Sequence, residues 1–175
     1  MSTPTFGKPQ TNPFGLADVG FVNKPTLADL DGDEDLDLLV GESNGNLIYH
    51  ENQSTASAPT FGTPQTTSFG LANSDVYSSP TFADIDADGD LDIFVGGSHP
   101  HMMTYQENQG TASSPTFGTL QTNPFGLAHV NSFSSPTLAD LDGDEDLDLL
   151  VGNYHGNLIY QENEGTAKAP TFGKP

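Results

Sequence analysis

Apolar positions in this chain gather into three short runs, 38–40, 93–95 and 149–151, each entered from an aspartate and closed by a glycine. A continuous apolar run of this length, bounded by turn residues, fits a strand buried on both faces. The flanking pattern predicts its partners. "KPTLADL" (24–30) leads in, "LDLLVGES" (36–43) is the buried strand, "NG" at 44–45 is a hairpin turn, and "NLIYHEN" (46–52) returns. A polar "STASAP" loop follows, and "PTFGTPQ" (59–65) reads as a fourth strand. No stretch holds a helical period for ten residues, because Pro and Gly interrupt every candidate.

This pattern occurs three times. "PTFG" stands at 4–7, 59–62, 115–118 and 170–173, and "FGLA" at 14–17, 69–72 and 125–128. The spacing is 55 or 56 residues, the extra residue lying where "GGSHPHMMTY" replaces "GESNGNLIY". The chain therefore reads as one repeat domain, 1–175, with units at 4–58, 59–114 and 115–169 and a surplus strand at 170–175. Four antiparallel strands per unit describe a β-propeller blade, so the expected fold class is all-β, with three four-stranded blades. A β-solenoid, with shorter repeats and parallel coils, is the competing architecture.

Composition sharpens the picture. Apolar residues make up 34% of 175, and 24 acids face only 4 Lys plus Arg, for a net charge of -20. Evenly spread, such charge would favour disorder. It is not evenly spread: 17 of the 24 acids fall at 29–37, 84–92 and 140–148. Charge so concentrated needs a local counter-charge, and the chain lacks the basic residues to supply one. The acidity argues against nucleic acid or an anionic membrane as partner. No segment has the apolar length of a membrane-spanning helix, and the first residues lack the pattern of a signal peptide. With no cysteine there is no disulfide, thiolate site or cysteine nucleophile.

Within "DLDGDEDLD" (29–37) an aspartate occupies every second position. Extended, the five would share one strand face and repel one another. Curled, their oxygens converge and suit a hard cation. Calcium accepts six to eight oxygens in flexible geometry, whereas magnesium demands stricter octahedra and transition metals prefer His or Cys. An acidic, solvated loop without metal is the alternative.

The segment resembles the D-x-D-x-D-G-x-x-D loop of FG-GAP (integrin-α-type) and VCBS-type repeats, and the resemblance extends to the "FG" and "LLVG" segments of all three units. It implies one calcium per loop, three per chain. The implied ligands are side-chain oxygens of Asp29, Asp31, Asp33 and Asp37 with the carbonyl of Asp35. The second loop would use Asp84, Asp86, Asp88, Asp92 and the carbonyl of Asp90, and the third Asp140, Asp142, Asp144, Asp148 and the carbonyl of Asp146. The loops depart from the family at one position, where Gly89 matches its glycine but Glu34 and Glu145 do not. If that position has positive φ, each Glu costs on the order of 1–2 kcal/mol.

Propellers have about four to eight blades, so three call for assembly. A homodimer would give a six-bladed ring. A nine-bladed trimer and a segment of a longer array are the alternatives. Four "PTFG" copies for three units imply one displaced copy at the seam. Comparing the units with one another places their differences in two connections that a meander puts on one face. That face would carry Phe21, Tyr77, Phe133, Tyr154, His99, His101, His129 and His155. Rings beside Asn and Ser suit carbohydrate, although ordinary loop drift gives the same pattern. His99-Pro-His101 is a weak chelating pair, and Asn52-Gln53-Ser54 is a single N-glycosylation triplet. Nothing suggests an activated nucleophile, so no enzymatic activity is expected. By resemblance the expectation is an extracellular binding or adhesion module for glycan or protein; the alternative is a purely structural propeller that assembles with no ligand beyond calcium.

Overall fold

The computed structural model describes residues 5, 7–66, 68–74, 76–98, 103–130 and 133–175. Eleven strands are formed among them. In the first unit they are β1 (Lys24–Ala28), β2 (Asp37–Gly41), β3 (Leu47–His50) and β4 (Gln65–Thr66). The second has β5 (Ser79–Ala83), β6 (Asp92–Gly96), β7 (Thr104–Gln106) and β8 (Gln121–Thr122), and the third β9 (Ser135–Ala139), β10 (Asp148–Gly152) and β11 (Leu158–Gln161). All pairings are antiparallel, giving sheets β1-β2-β3-β4, β5-β6-β7-β8 and β9-β10-β11. The only helical elements among the described residues are three one-turn 3-10 segments at Pro13–Gly15, Ser68–Gly70 and Pro124–Gly126. The all-β, three-sheet reading is thus met.

The sheets stack with their first strands side by side, β1 next to β5 and β5 next to β9. Ser79 Oγ and Ser135 Oγ meet at 3.0 Å across the second of these contacts. Alternate residues of a strand face opposite sides of its sheet. In β6, Ile93 and Val95 therefore join Leu39, Leu47 and Tyr49 in a core between the first two sheets. Phe94, one position over, joins Met103, Tyr105, Leu149 and Val151 in a second core between sheets two and three. That is why β6 is apolar at three successive positions, 93–95.

Close stacking also sets a residue requirement. A Cβ on Gly41 would collide with the Ser78 carbonyl oxygen and lie 2.7 Å from the Pro80 ring. Gly96 stands in the same relation to Ser134 and Pro136.

The fourth strand differs from expectation. Of 59–65, only Gln65 lies in β4; Phe61 makes an isolated bridge to Asn52. The Phe61 N–H goes instead to the Phe14 carbonyl at 2.8 Å, in the 3-10 turn, and Pro59 and Pro64 have no N–H to offer a ladder. Phe117 bonds Phe69 and Phe172 bonds Phe125 in the same way. The third unit therefore uses its own 170–173 segment. Of the surplus copy at 4–7, only Thr5 and Gly7 are described, and both are exposed.

Gly41→Ala and Gly96→Ala are expected to lower stability by about 1–3 kcal/mol each, the usual cost of overpacking. Urea denaturation of each variant beside the parent chain measures this.

Candidate metal centres and recognition face

The acidic loops connect β1 to β2, β5 to β6 and β9 to β10. Each begins with an aspartate that accepts bonds from the loop's own backbone. Asp29 accepts from Gly32 N–H (2.7 Å) and Glu34 N–H (3.0 Å), Asp84 from Asp88 and Gly89, and Asp140 from Gly143 (2.7 Å) and Glu145. These bonds curl the segment and prevent the extended, mutually repelling arrangement. Curling has a conformational cost that the three loops meet differently. Positive φ occurs at Gly32 and Glu34, at Ala87 and Gly89, and at Gly143 and Glu145. Two equivalent positions need the left-handed conformation, and each loop places glycine at one of them. The cost foreseen for Glu34 and Glu145 is real, and Ala87 carries its counterpart in the second loop.

The curl gathers oxygens. In Asp29, Asp31 and Asp33 one carboxylate oxygen from each lies within 4.8 Å of the others, and the same holds for Asp84, Asp86 and Asp88 and for Asp140, Asp142 and Asp144. The Asp35, Asp90 and Asp146 carboxylates are buried, and each has an Oδ1 without a hydrogen-bond partner, as do Asp31 and Asp86. Buried, orphaned carboxylate oxygens beside a cluster of others fit a hard cation, since such groups are costly unless paired or metal-bound.

Asp37, Asp92 and Asp148 each accept hydrogen bonds from groups outside the triplets. Asp37 accepts from Leu30 N–H (3.2 Å) and Asn52 N–H (2.8 Å). Asp92 accepts from Asn108 N–H (2.7 Å) and the Tyr105 hydroxyl (3.0 Å), and Asp148 from Leu141, Asn163 and the Tyr160 hydroxyl. The asparagines are residues that the sequence did not single out for this place. Asn52 is buried and its Oδ1 accepts from Thr60 N–H and Ser54 Oγ. It is a brace for the acidic loop, so the folded chain does not present the 52–54 triplet for glycosylation.

Burial and like charge raise several of these carboxyls. Burial is the leading cause for Asp31, Asp35, Asp86, Asp90, Asp142 and Asp146, with neighbouring aspartates adding to it. Burial also raises Asp37, and takes Asp92 up to about 7, against the lowering effect of their hydrogen bonds.

At the opposite ends of the strands, Tyr77 and Phe133 lie with ring centroids 4.6 Å apart, Phe133 and Tyr154 5.4 Å, and Tyr154 and His155 5.6 Å. Phe21, Phe133 and Tyr154 are exposed. His129 and His155 are exposed, while His99 and His101 fall outside the described residues. Val22, Tyr77 and Phe133 occupy equivalent positions and all have positive φ, which is an outlier for a β-branched or bulky residue. Positive φ recurs in the same way at Phe14, Phe69 and Phe125 of the 3-10 turns, and neither set was visible in composition or spacing.

Residues 29–95 match the family model described as FG-GAP-like repeat. No curated protein gives a significant match. Among solved structures, the chain resembles an Agrocybe aegerita lectin whose structure is titled for specific recognition of non-reducing terminal N-acetylglucosamine. The two share 18% identity over 87% of this chain, with a TM-score of 0.49. This chain spans 37% of that one.

Two outcomes are expected. Glu34→Gly should raise stability by on the order of 1 kcal/mol by removing the left-handed strain, while the substitution keeps the backbone N–H that Asp29 accepts; denaturation in millimolar calcium measures it. Carboxyls raised by folding favour the folded state at low pH and lose that contribution as pH rises through the folded value. In excess chelator the melting temperature should therefore climb as pH falls from about 7, the Asp92 value, toward the ordinary carboxyl value of 3.8. With calcium present the slope should reverse, since protons compete with metal for the same oxygens.

Proposed function

We propose that this chain, with an FG-GAP-like repeat at 29–95, is a calcium-stabilised β-propeller module that binds carbohydrate outside the cell. In this reading the three loops each hold one calcium. Asp29, Asp31 and Asp33 supply side-chain oxygens, Asp35 completes the coordination, and Asp37 contributes while bracing the loop; the second and third loops use the equivalent residues. The bound ion supplies the positive charge that the chain lacks. Its role is structural, and no catalytic step is assigned to the protein. Extracellular modules hold calcium at roughly 10⁻⁴–10⁻³ M, which suits loops that are exposed on one side and rely chiefly on carboxylates. Three sheets stacked about their first strands are half of a six-bladed ring, and a second copy supplies the other half.

The observation that carries the recognition role is the row Tyr77, Phe133 and Tyr154, its last two rings exposed beside Asn153 and His155, with strained backbone at two of its three members. Aromatic faces offer an apolar platform for the C–H faces of sugars, and amides and imidazoles bond hydroxyls. Soluble proteins seldom keep bulky residues in left-handed backbone unless the surroundings over-determine it, and such residues gather at binding sites.

Native mass spectrometry should count three calcium ions per chain, and excess EDTA should lower the melting temperature sharply. Each site contributes about 2.7 kcal/mol at a hundredfold excess of metal over Kd, against a whole-domain stability of roughly 5–15 kcal/mol. An unchanged melting temperature in chelator would refute the calcium role. A glycan array should return ligands whose signal is lost in Tyr154→Ala while the calcium count stays at three. An array blank for the parent chain leaves the purely architectural reading in place of the recognition role.

A further inference from the structure

The two outer faces of the three-sheet stack are unlike each other, and each matches what covers the other's counterparts inside the stack. On the third sheet, Leu158 is 76% exposed and Leu141 53%. Their equivalents in the first sheet, Leu47 and Leu30, are 1% and 2% exposed beneath the second sheet. On the first sheet, Leu27 and Leu36 are exposed, whereas their equivalents Phe82 and Leu91 pack into the core between sheets one and two.

Four details extend the match. Tyr49 meets the ring of Phe69 edge-on at 5.0 Å, and Tyr105 meets Phe125 at 5.1 Å, each across a sheet boundary. Their equivalents Tyr160 and Phe14 stand exposed at opposite ends of the stack. Gly41 and Gly96 are forced to be glycine by Ser78 and Ser134, but Gly152, the third equivalent, has only a Leu158 methyl at 3.9 Å near the place of its Cβ. Gly32 is likewise crowded by Ser113 of the next unit, with Cα at 2.8 Å, while its equivalent Gly143 has nothing within 4 Å. Finally, Asn123, in left-handed conformation at φ 43, ψ 52, exchanges two bonds with the Met103 backbone at 2.8 and 2.9 Å. Asn12 holds the same conformation, φ 46, ψ 55, on the free end, and the equivalent of Met103 is Leu158 on the other.

We propose that the third sheet of one copy is capped by the first unit of a second copy through a copy of the internal sheet boundary. It rests on the ring-closure reading above and supplies its seam. Phe14 of the second copy covers Tyr160, its Asn12 exchanges bonds with Leu158, and its Gln10–Thr11 extends β11 as a fourth strand. The register follows β4 on β3, where Ile48 faces Thr66 and Tyr49 faces Gln65, so Ile159 faces Thr11 and Tyr160 faces Gln10. Gly152 receives the carbonyl of the second copy's Asn23, the equivalent of Ser78. The displaced segment at the seam is therefore 10–11, not the "PTFG" tetrapeptide, which the third unit already takes from itself at 170–173. A head-to-tail contact closes only at a fixed number of units, and six is the one multiple of three within the usual range of blades.

Native mass spectrometry in millimolar calcium tests this, with the calcium count read from the same spectrum. The expected mass is twice the 18.5 kDa of one chain. Gly152→Ala is harmless within one copy, where its Cβ meets only a Leu158 methyl at van der Waals distance, and should halve the mass while circular dichroism and calcium count stay unchanged. Leu158→Lys, at an exposed position, should do the same. A parent chain at single mass with three calcium ions overturns both ring closure and seam but leaves the calcium reading standing. A parent dimer that both variants leave intact overturns the seam alone. A trimer or an open filament overturns the two-copy assembly.

Discussion

A sheet that is apolar on both faces cannot face water on either, and this constraint organises the molecule. The run 93–95 puts Ile93 and Val95 into one core and Phe94 into the next, so the second sheet is stable only between two others. Burying a side chain of this size contributes about 1.5–3 kcal/mol. Much of that gain comes from neighbouring units, as in other repeat architectures where stability resides in the interfaces. The glycines at 41 and 96 follow from the same demand, because backbone and proline ring of the next sheet occupy the space of a side chain.

The acidic loops are tied mechanically to that stack. Asp92 accepts from the Tyr105 hydroxyl, and the Tyr105 ring packs against Phe94 and, across the boundary, against Phe125. Asp148 and Tyr160 repeat the first of these links in the third unit. The last aspartate of each loop therefore belongs to two systems at once, the polar curl above and the apolar core below. Burial raises both partners: Asp92 goes up to about 7, and the Tyr105 phenol rises well above its ordinary value. Through this link any cation held by the loop would steady the core of a chain with only 34% apolar residues.

The loops show how three near-copies solve one backbone problem. Two positions need left-handed φ, and glycine fills the first in loops one and three but the second in loop two. Each loop keeps one strained residue. The pattern of bonds from Asp29, Asp84 and Asp140 survives the exchange because it uses backbone N–H groups, which any residue but proline provides.

The chain's own periodicity determined the three units, the acidic loops, the two inner hairpin strands of each unit and the all-β class, since alternation, turn residues and spacing are local signals. It also showed which aspartates could converge, because curling a D-x-D-x-D segment needs only its own backbone. Only the tertiary structure decided that the fourth strand shrinks to 65–66, that Asp37 is braced by Leu30 and Asn52, that Asn52 is buried, and that Gly41 is crowded by the next sheet while Gly152 within one chain is not. Each of these depends on a partner that is distant in sequence or lies in the next sheet. A repeat prints the same letters in each unit, and position in the stack gives those letters different neighbours.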